Sequence, residues 1–210
     1  MEIINMNVGM LGTNCYILFE PDNPECIIID PGDEPEMIFN RLNAFGLEPK
    51  YIVVTHGHPD HTGAIPDLHE NWPDVRVMIH EADTMTTNRL GSRHRNPLEA
   101  FDGSDSLILL REGDEIRCGG IRLRVVHTPG HSPGGVCLIS EEEGCVFTGD
   151  TLFNGSVGRS DFPGGNFNDL MLSIKEKLYC LPPETEVYPG HSQPTTIGEE
   201  MEYNPFVRGD

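Results

Sequence analysis

The first quarter of the chain alternates short apolar runs with turns rich in glycine and proline. β-Branched and apolar residues predict four strands in this region, at 2–8, 13–20, 25–30 and 51–55. A helix is expected between the third and fourth strands, because Ile38, Leu42 and Phe45 fall on one helical face and Gly46 follows them. The last of these strands ends in a cluster of histidines.

The remainder of the chain repeats this alternation with more strands. Helices are predicted at 64–71, through the low 80s and at 168–181, and residues 91–105 are predicted to form a surface loop. Further strands are predicted at 75–79, 106–110, 114–118, 121–127, 135–140 and 145–148. Two batches of strands, each accompanied by helices, favour an α/β (α+β) fold in which two sheets pack together with helices outside, an αββα sandwich. We expect one domain, 1–210, since this length suits a single core.

Charge and hydropathy narrow the class of protein. The chain carries 34 acidic and 14 basic residues, a formal charge of -20. Such a surface repels phosphate backbones and anionic lipid, so we expect neither a nucleic-acid nor a membrane partner. No apolar run approaches the roughly 20 residues of a membrane span. The N-terminus lacks the basic and apolar regions of a signal peptide, which predicts a cytoplasmic protein.

The six cysteines contain no C-x-x-C pair, and four of them lie within strand-like stretches. Free, buried thiols are therefore expected rather than a disulfide framework or a catalytic cysteine.

The segment Thr55-His56-Gly57-His58-Pro59-Asp60-His61 carries the strongest chemical signal. His56 and His58 are two residues apart in an extended segment, so they project to the same side. Pro59 ends that segment, and Asp60 and His61 turn toward a neighbouring position. Imidazole and carboxylate are ligands that zinc and similar divalent ions accept, so the segment predicts a metal site.

Three later segments share one arrangement, in which an apolar strand is followed by a turn and then by a residue able to bind metal. These residues are His131, Asp150 and His191. Ligands on turns fixed by proline and glycine suit a rigid site. Together with the first segment they supply seven candidate ligands, enough for two ions.

This set of motifs resembles the signature of the metallo-β-lactamase superfamily. The resemblance covers about residues 2–195 and implies that Asp30, in Ile-Asp-Pro-Gly, supports the site through a hydrogen bond to a ligand histidine. It also implies His56, His58 and His131 on one ion, Asp60, His61 and His191 on the other, and Asp150 bridging them. Two divalent ions are expected as cofactors, zinc first, with iron or manganese as alternatives.

The segment after the bridging acid points to a subfamily. Gly149-Asp150-Thr151-Leu152-Phe153 and the following G-S-V-G-R-S-D-F-P-G-G resemble the short bacterial form of glyoxalase II, or hydroxyacylglutathione hydrolase. The resemblance places Arg159 where it would orient an anionic part of the substrate. Few residues follow His191, so we do not expect the C-terminal helical domain of larger glyoxalases II. The acidity of the chain does little to attract an anionic thiol conjugate.

The expected reaction is hydrolysis of a small thioester, in which a water between two ions attacks as hydroxide. A thiolate leaves without prior protonation, which suits a site that has no obvious general acid. The alternative is a mononuclear iron dioxygenase for persulfides, whose ligands by resemblance would be His56, His131 and Asp150. A superfamily ribonuclease, a secreted β-lactamase and a metal-stabilised sensor are less favoured. Four histidines match no motif: His127 is a candidate to support a ligand, and His69, His80 and His94 are expected at the surface or in caps.

Overall fold

A computed structural model describes residues 1–84, Leu98, Phe101 and residues 105–209. Six strands form the first sheet in sequence order: β1 (Glu2–Val8), β2 (Thr13–Glu20), β3 (Asn23–Ile29), β4 (Glu48–Val53), β5 (Arg76–His80) and β6 (Leu107–Leu110). The β1–β2 and β2–β3 pairs are antiparallel, and β3 to β6 run parallel. The sheet is therefore mixed.

Six strands also form the second sheet, and a separate hairpin follows one of them. The sheet strands are β7 (Glu115–Cys118), β8 (Ile121–His127), β9 (Val136–Ser140), β10 (Cys145–Gly149), β13 (Glu186–Pro189) and β14 (Thr195–Thr196), in the order β14-β13-β10-β9-β8-β7. Only β10 and β13 pair in parallel. The hairpin consists of β11 (Leu152–Phe153) and β12 (Ser156–Val157).

The helices are short and lie along the chain between these strands. They are α1 (Pro35–Phe45), α2 (Pro59–Thr62), α3 (Ile65–Asn71), a 3₁₀ turn (Glu81–Asp83), α4 (Phe167–Ser173), which continues as a π-helical turn (Ile174–Leu178), and α5 (Ile197–Tyr203). Gly46 ends α1 in the left-handed conformation, as its sequence position predicts.

The strand β2 shows how the layers are arranged. Its side chains alternate between two cores, because Ile17 and Phe19 pack with the helices α1 and α3 while Tyr16 and Leu18 pack against the second sheet. A third core lies between the second sheet and the helices α4 and α5. The αββα sandwich predicted from the alternation of strands and helices is confirmed.

Three predicted elements differ in detail. Phe45 lies on the expected helix but is 50% exposed, since its ring only edges against Phe19. The strand predicted at 51–55 begins at Glu48, because a register irregularity accommodates Pro49, which lacks an N–H to donate. The helix predicted at 168–181 is α-helical only to Ser173 and then widens into the π turn.

Some elements have too few residues to show a period in the sequence. The one-turn helix α2, the hairpin β11–β12, the strand β14 and the helix α5 are not predicted. The surface loop predicted at 91–105 lies outside the described residues, apart from Leu98, Phe101 and Asp105.

The cysteines are free thiols, and all except Cys180 are buried, in agreement with the sequence. Burial raises the pKa of Cys137 to about 11 and that of Cys145 to about 12. No helix in the described ranges has the length and apolar character needed to cross a membrane.

Candidate metal centre

The strands of both sheets end at one edge of the sandwich, and the seven predicted ligands lie there. His56 follows β4 of the first sheet, and His131, Asp150 and His191 follow β8, β10 and β13 of the second. Three groups of ligand atoms each lie within 4.8 Å of one another: His56 with His58 and His131, His56 with His61 and Asp150, and Asp60 with His61 and His191. Together they form a His/Asp metal-binding cluster.

The first motif is shaped by a proline. His58 is extended, with φ -72° and ψ 147°, and Pro59 begins the helix α2 directly after it. Proline is favoured at this position because its missing N–H has no partner in the first turn of a helix. That single turn moves Asp60 and His61 away from the line of His56 and His58. One short segment therefore supplies ligands to two different groups.

The histidine group, defined here as His56, His58 and His131, has its ring nitrogens in close contact. His131 Nε2 lies 3.2 Å from His56 Nε2 and 2.8 Å from His58 Nδ1, and the last two atoms are 3.0 Å apart. All three residues are buried.

Hydrogen bonds on the far sides of the rings fix which nitrogen carries a proton. His131 Nδ1 lies 2.6 Å from the carbonyl oxygen of Arg159, which can only accept, so His131 donates from Nδ1. Thr55 donates its hydroxyl to Asp30 at 2.6 Å and is therefore left to accept from His56 Nδ1 at 3.2 Å. Neutral His56 and His131 consequently direct Nε2 lone pairs at each other. A bound cation would relieve this repulsion.

The acidic group, defined here as Asp60, His61 and His191, is built differently. His191 Nε2 lies 3.3 Å from Asp60 Oδ2, and His61 Nε2 lies 3.5 Å from the same oxygen. His61 Nδ1 is 2.9 Å from Asp30 Oδ2, so a carboxylate supports this ring from behind. The resemblance implies a ligand histidine as the partner of Asp30, and the histidine that Asp30 contacts is His61.

Asp150 lies between the two groups. Its Oδ2 is 3.5 Å from His131 Nε2 and 3.6 Å from His191 Nε2, and its Oδ1 is 3.4 Å from His61 Nε2. Asp150 Oδ1 and His61 Nε2 are buried and make no hydrogen bond within the described residues. Buried polar atoms are rarely left without a partner. Two such atoms facing each other fit a divalent cation, and the imidazole and carboxylate donors suit zinc, iron or manganese.

The two groups also differ in the pKa values of their histidines. Burial lowers the pKa of His56 well below its usual value, and the neighbouring histidines lower it further. Burial, followed by the charge of His131, lowers the pKa of His58 to about 4. His56 and His58 therefore present neutral rings near pH 7.

In the acidic group the charges outweigh burial. Burial alone would lower the pKa of His61, but Asp150 and Asp30 raise it well above its usual value. His191 follows the same pattern, because its interaction with Asp60 raises its pKa. The pKa of Asp60, which burial would raise, is lowered by His191 and His61. Without metal, this group holds protons that an ion would displace.

The backbone is strained where it supports these ligands. Asp30 has a φ of 52° and Ser192, next to His191, a φ of 74°, both in the region that favours glycine. Asp30 is held there by the N–H of Thr55 at 2.7 Å in addition to the contacts above. Such strain persists where surrounding contacts enforce it, often at functional sites.

The guanidinium of Arg159 does not reach the ligands. It makes two hydrogen bonds to Asp161, each of 2.9 Å, and lies 4.3 Å from the centre of the Phe162 ring. The Phe162 ring in turn lies 5.6 Å from the ring of His58. The Arg159 side chain is 65% exposed, at the rim of the histidine group. Close contact occurs through the backbone: a Cβ on neighbouring Gly158 would lie 1.8 Å from the carbonyl oxygen of Asp150.

Three of the four unassigned histidines, His69, His80 and His127, belong to the described residues and lie outside the cluster. His80 accepts from the N–H of Ala82 and so caps the 3₁₀ turn, as expected. His127 stacks on His80 at 4.2 Å, and its Nε2 is 2.9 Å from the carbonyl oxygen of Pro133, so it contacts no ligand side chain directly. His69 is half-buried beside Phe101. His94 lies outside the described residues.

Several supporting residues are not predicted from the sequence. The side-chain amide of Asn14 donates to the carbonyl oxygens of Pro189 and Ser192, at 2.8 and 2.9 Å, and Tyr16 donates to Pro189 at 2.7 Å. These bonds hold the loop of His191 against β2 of the other sheet. Asp83 likewise connects two other loops of the centre, because its side chain accepts from the N–H groups of Gly57 and Gly134. The partners are far apart in sequence, so no local pattern could have revealed them.

Comparisons with known proteins agree with this geometry. A family profile described as the metallo-beta-lactamase superfamily matches residues 8–191. The chain is 38% identical to a protein of Bacillus subtilis named probable metallo-hydrolase YqgX, over 100% of this chain and 99% of the relative. It is 35% identical to hydroxyacylglutathione hydrolase GloC of Haemophilus influenzae, over 99% and 98% of the two chains.

Solved structures are similar over nearly the whole chain. The BLEG-1 B3 metallo-beta-lactamase superposes with a TM-score of 0.85 at 34% identity, covering 99% of this chain and 100% of that one. TTHA1623 in a di-iron-bound form gives 0.82 at 37% identity, covering 97% and 100%. ETHE1 from Myxococcus xanthus gives 0.80 at 28% identity, covering 98% and 84%.

Proposed function

The chain belongs to the metallo-beta-lactamase superfamily, and from that premise we propose that it is a two-metal thioester hydrolase of the glyoxalase II type. The observation that carries the proposal is the pair of ligand groups on either side of Asp150, whose carboxylate approaches histidines of both groups. The full-length similarity to a hydroxyacylglutathione hydrolase supports the substrate class.

Each group would hold one divalent ion. His56, His58 and His131 would bind the first and Asp60, His61 and His191 the second, with Asp150 shared between them. Bound ions would lower the pKa of a coordinated water and polarise a carbonyl oxygen. Zinc is the favoured ion; iron and manganese are alternatives, and the similar di-iron structure supports iron.

The chain's own residues keep the ligands in place. Asp30 orients His61 and also accepts the hydroxyl proton of Thr55, which leaves Thr55 to orient His56. The carbonyl oxygen of Arg159 orients His131. Support of this kind fixes the tautomer of a ligand histidine and increases its basicity.

The contacts of the aspartates in the site favour a substrate whose leaving group needs no proton donor. Asp30, Asp60 and Asp150 each already contact a ligand histidine, so none of them is held ready as a separate proton donor. A thiolate leaves without prior protonation, and a thioester therefore suits the site better than an amide. The Arg159 guanidinium, at the rim beside Phe162, would attract an anionic part of the substrate.

The same proposal takes the chain as one domain, 1–210, in the cytoplasm, with a small anionic thioester as its partner and neither nucleic acid nor membrane. The acidic surface supports the exclusion of nucleic acid.

A second candidate is a mononuclear iron dioxygenase for persulfides. It is favoured by one feature, the convergence of His56, His131 and Asp150, where His131 Nε2 lies 3.2 Å from His56 Nε2 and 3.5 Å from Asp150 Oδ2. Two histidines and one carboxylate form the usual ligand set of such iron enzymes. The additional ligands of the acidic group favour the hydrolase.

One experiment separates the candidates. Protein purified without added metal is analysed for its elements and assayed in parallel with a hydroxyacylglutathione thioester, with glutathione persulfide under oxygen-uptake recording, and with a chromogenic β-lactam. We expect about two ions per chain and thioester hydrolysis. A single iron, oxygen uptake on the persulfide and no thioester hydrolysis would reject the hydrolase.

A further inference from the structure

Asp83 is a buried carboxylate in a position where a surface acid would be expected. It ends the 3₁₀ turn Glu81–Asp83 that follows β5, and its exposed fraction is 0%. The preceding Glu81 and Ala82 are exposed. A carboxylate is unfavourable in the interior unless hydrogen bonds compensate for the lost water.

The two oxygens of Asp83 accept from two different loops. Oδ2 accepts the N–H of Gly57 at 3.0 Å, and Oδ1 accepts the N–H of Gly134 at 2.7 Å. Gly57 lies between His56 and His58, which follow the first sheet, whereas Gly134 is three residues after His131 in the loop between β8 and β9 of the second sheet. One side chain therefore joins the two backbones that carry the histidine group.

The approach of Asp83 to the second loop requires a glycine. A Cβ on Gly134 would lie 2.7 Å from the backbone nitrogen of Asp83 and 2.8 Å from its Cβ and Cγ. The φ of Gly134 is not in the region that excludes side chains, so the constraint comes from contact with Asp83 and not from backbone conformation.

We propose that Asp83 is a positioning residue that sets the spacing of His131 from His56 and His58 and thereby the affinity of the histidine group for a divalent ion. The role deepens the proposed function, since it concerns the same metal centre. A carboxylate suits the position because both of its oxygens accept, whereas an amide of the same size would direct an NH₂ group at one of the two N–H donors.

The chain offers a matched control in Glu200, another buried carboxylate, on α5. It accepts from the N–H of Gly155, the hydroxyl of Thr195 and the amide of Asn204. Glu200→Gln also places an amide where N–H groups converge, but it touches neither ligand loop. Gly134→Ala provides a second test, because it displaces Asp83 while keeping its charge.

The experiment titrates metal-free wild type, Asp83→Asn, Gly134→Ala and Glu200→Gln with Zn²⁺ against a competing chelator, and with Co²⁺ to record the ligand-field spectrum. We expect Asp83→Asn and Gly134→Ala to weaken binding of the tighter ion by about 10-fold to 100-fold and to alter the Co²⁺ spectrum. Glu200→Gln should stay within about 2-fold of wild type.

Wild-type affinity and spectrum in both Asp83→Asn and Gly134→Ala would overturn the positioning role, as would an equal loss of affinity in Glu200→Gln. If Asp83→Asn does not fold without metal, the result for Gly134→Ala decides. Metal binding is measured independently of catalysis. If the wild-type protein binds metal but does not hydrolyse thioesters, the proposed function is rejected, whereas the role of Asp83 is not.

Discussion

The two ligand groups face the same space, but their histidines differ in protonation before a cation binds. The histidine group contains three buried imidazoles, and burial lowers the pKa of His56 and His58, so these two rings are neutral near pH 7. In the acidic group, carboxylates raise the pKa of His61 and His191. The first group is ready to bind, whereas the second must release protons. This difference shows that the neighbours of a histidine, more than its place in a motif, determine whether it must lose a proton before it binds metal.

The largest effect is expected from Asp150, the residue on which both groups depend. Asp150→Ala would remove an oxygen that lies near histidines of each group, so both ions should bind weakly. We expect metal content to fall well below two per chain and kcat/KM to fall by about 1,000-fold, because the loss of a ligand exceeds the 10-fold to 100-fold typical of residues that only support ligands. Elemental analysis and thioester kinetics measure this. Two tightly held ions in the variant would contradict a shared role.

His61→Ala breaks only the acidic group. His191 and Asp150 would then retain the second ion poorly, so metal content should fall from about two toward one per chain, with a rate loss of about 10-fold to 100-fold or more. His58→Ala is the matched variant in the histidine group and should leave the other ion. In a mononuclear dioxygenase, His61→Ala would instead show about one iron before and after the change.

Acidification of the metal-free protein tests the difference in protonation. His58 has a folded pKa of about 4 against 6.5 for the unfolded chain, so between these values only the unfolded chain takes up the proton. The free energy of unfolding should therefore decrease as pH falls from 6.5 to 4, by about 3 kcal/mol from this residue.

The acidic group should change the free energy of unfolding little between about pH 4 and 6.5. The raised pKa of His61 gives stability that is fully present below pH 6.5 and is lost as pH rises through the folded pKa, and the lowered pKa of Asp60 gives stability that is lost only below about pH 4. Urea unfolding with a chelator at several pH values measures the sum. His58→Gln should flatten the acid branch, and equal slopes in His58→Gln and wild type would refute the assignment.

The smallest effect concerns the rim of the histidine group. Arg159→Ala keeps the backbone carbonyl that orients His131, so metal content should not change. KM for an anionic thioester should rise by about 3-fold to 10-fold, because the attraction at an exposed site is modest. Asp161→Asn, which frees the guanidinium, should lower KM or leave it unchanged. Wild-type KM and kcat in Arg159→Ala would show that the arginine only pairs with Asp161.

Much of the fold can be predicted because strand and helix periods are local. The bounds of β1 and β2 agree with the apolar alternation, and the αββα layers follow from the order of the elements. Prediction fails where an element is too short to show a period, as in α2 and β14, or where a tertiary contact overrides a local rule, as at Pro49.

The sequence by itself determined which side chains can bind metal, because the ligands lie at strand ends and in turns whose spacing is readable along the chain. The tertiary structure alone decided how those ligands are held and charged. The carbonyl oxygen of Arg159 orients His131, Asp83 joins two loops, and Asn14 fixes the loop of His191. The physical reason is that hydrogen-bond partners and pKa values depend on distances across the two sheets, and packing sets those distances between residues that are remote in sequence.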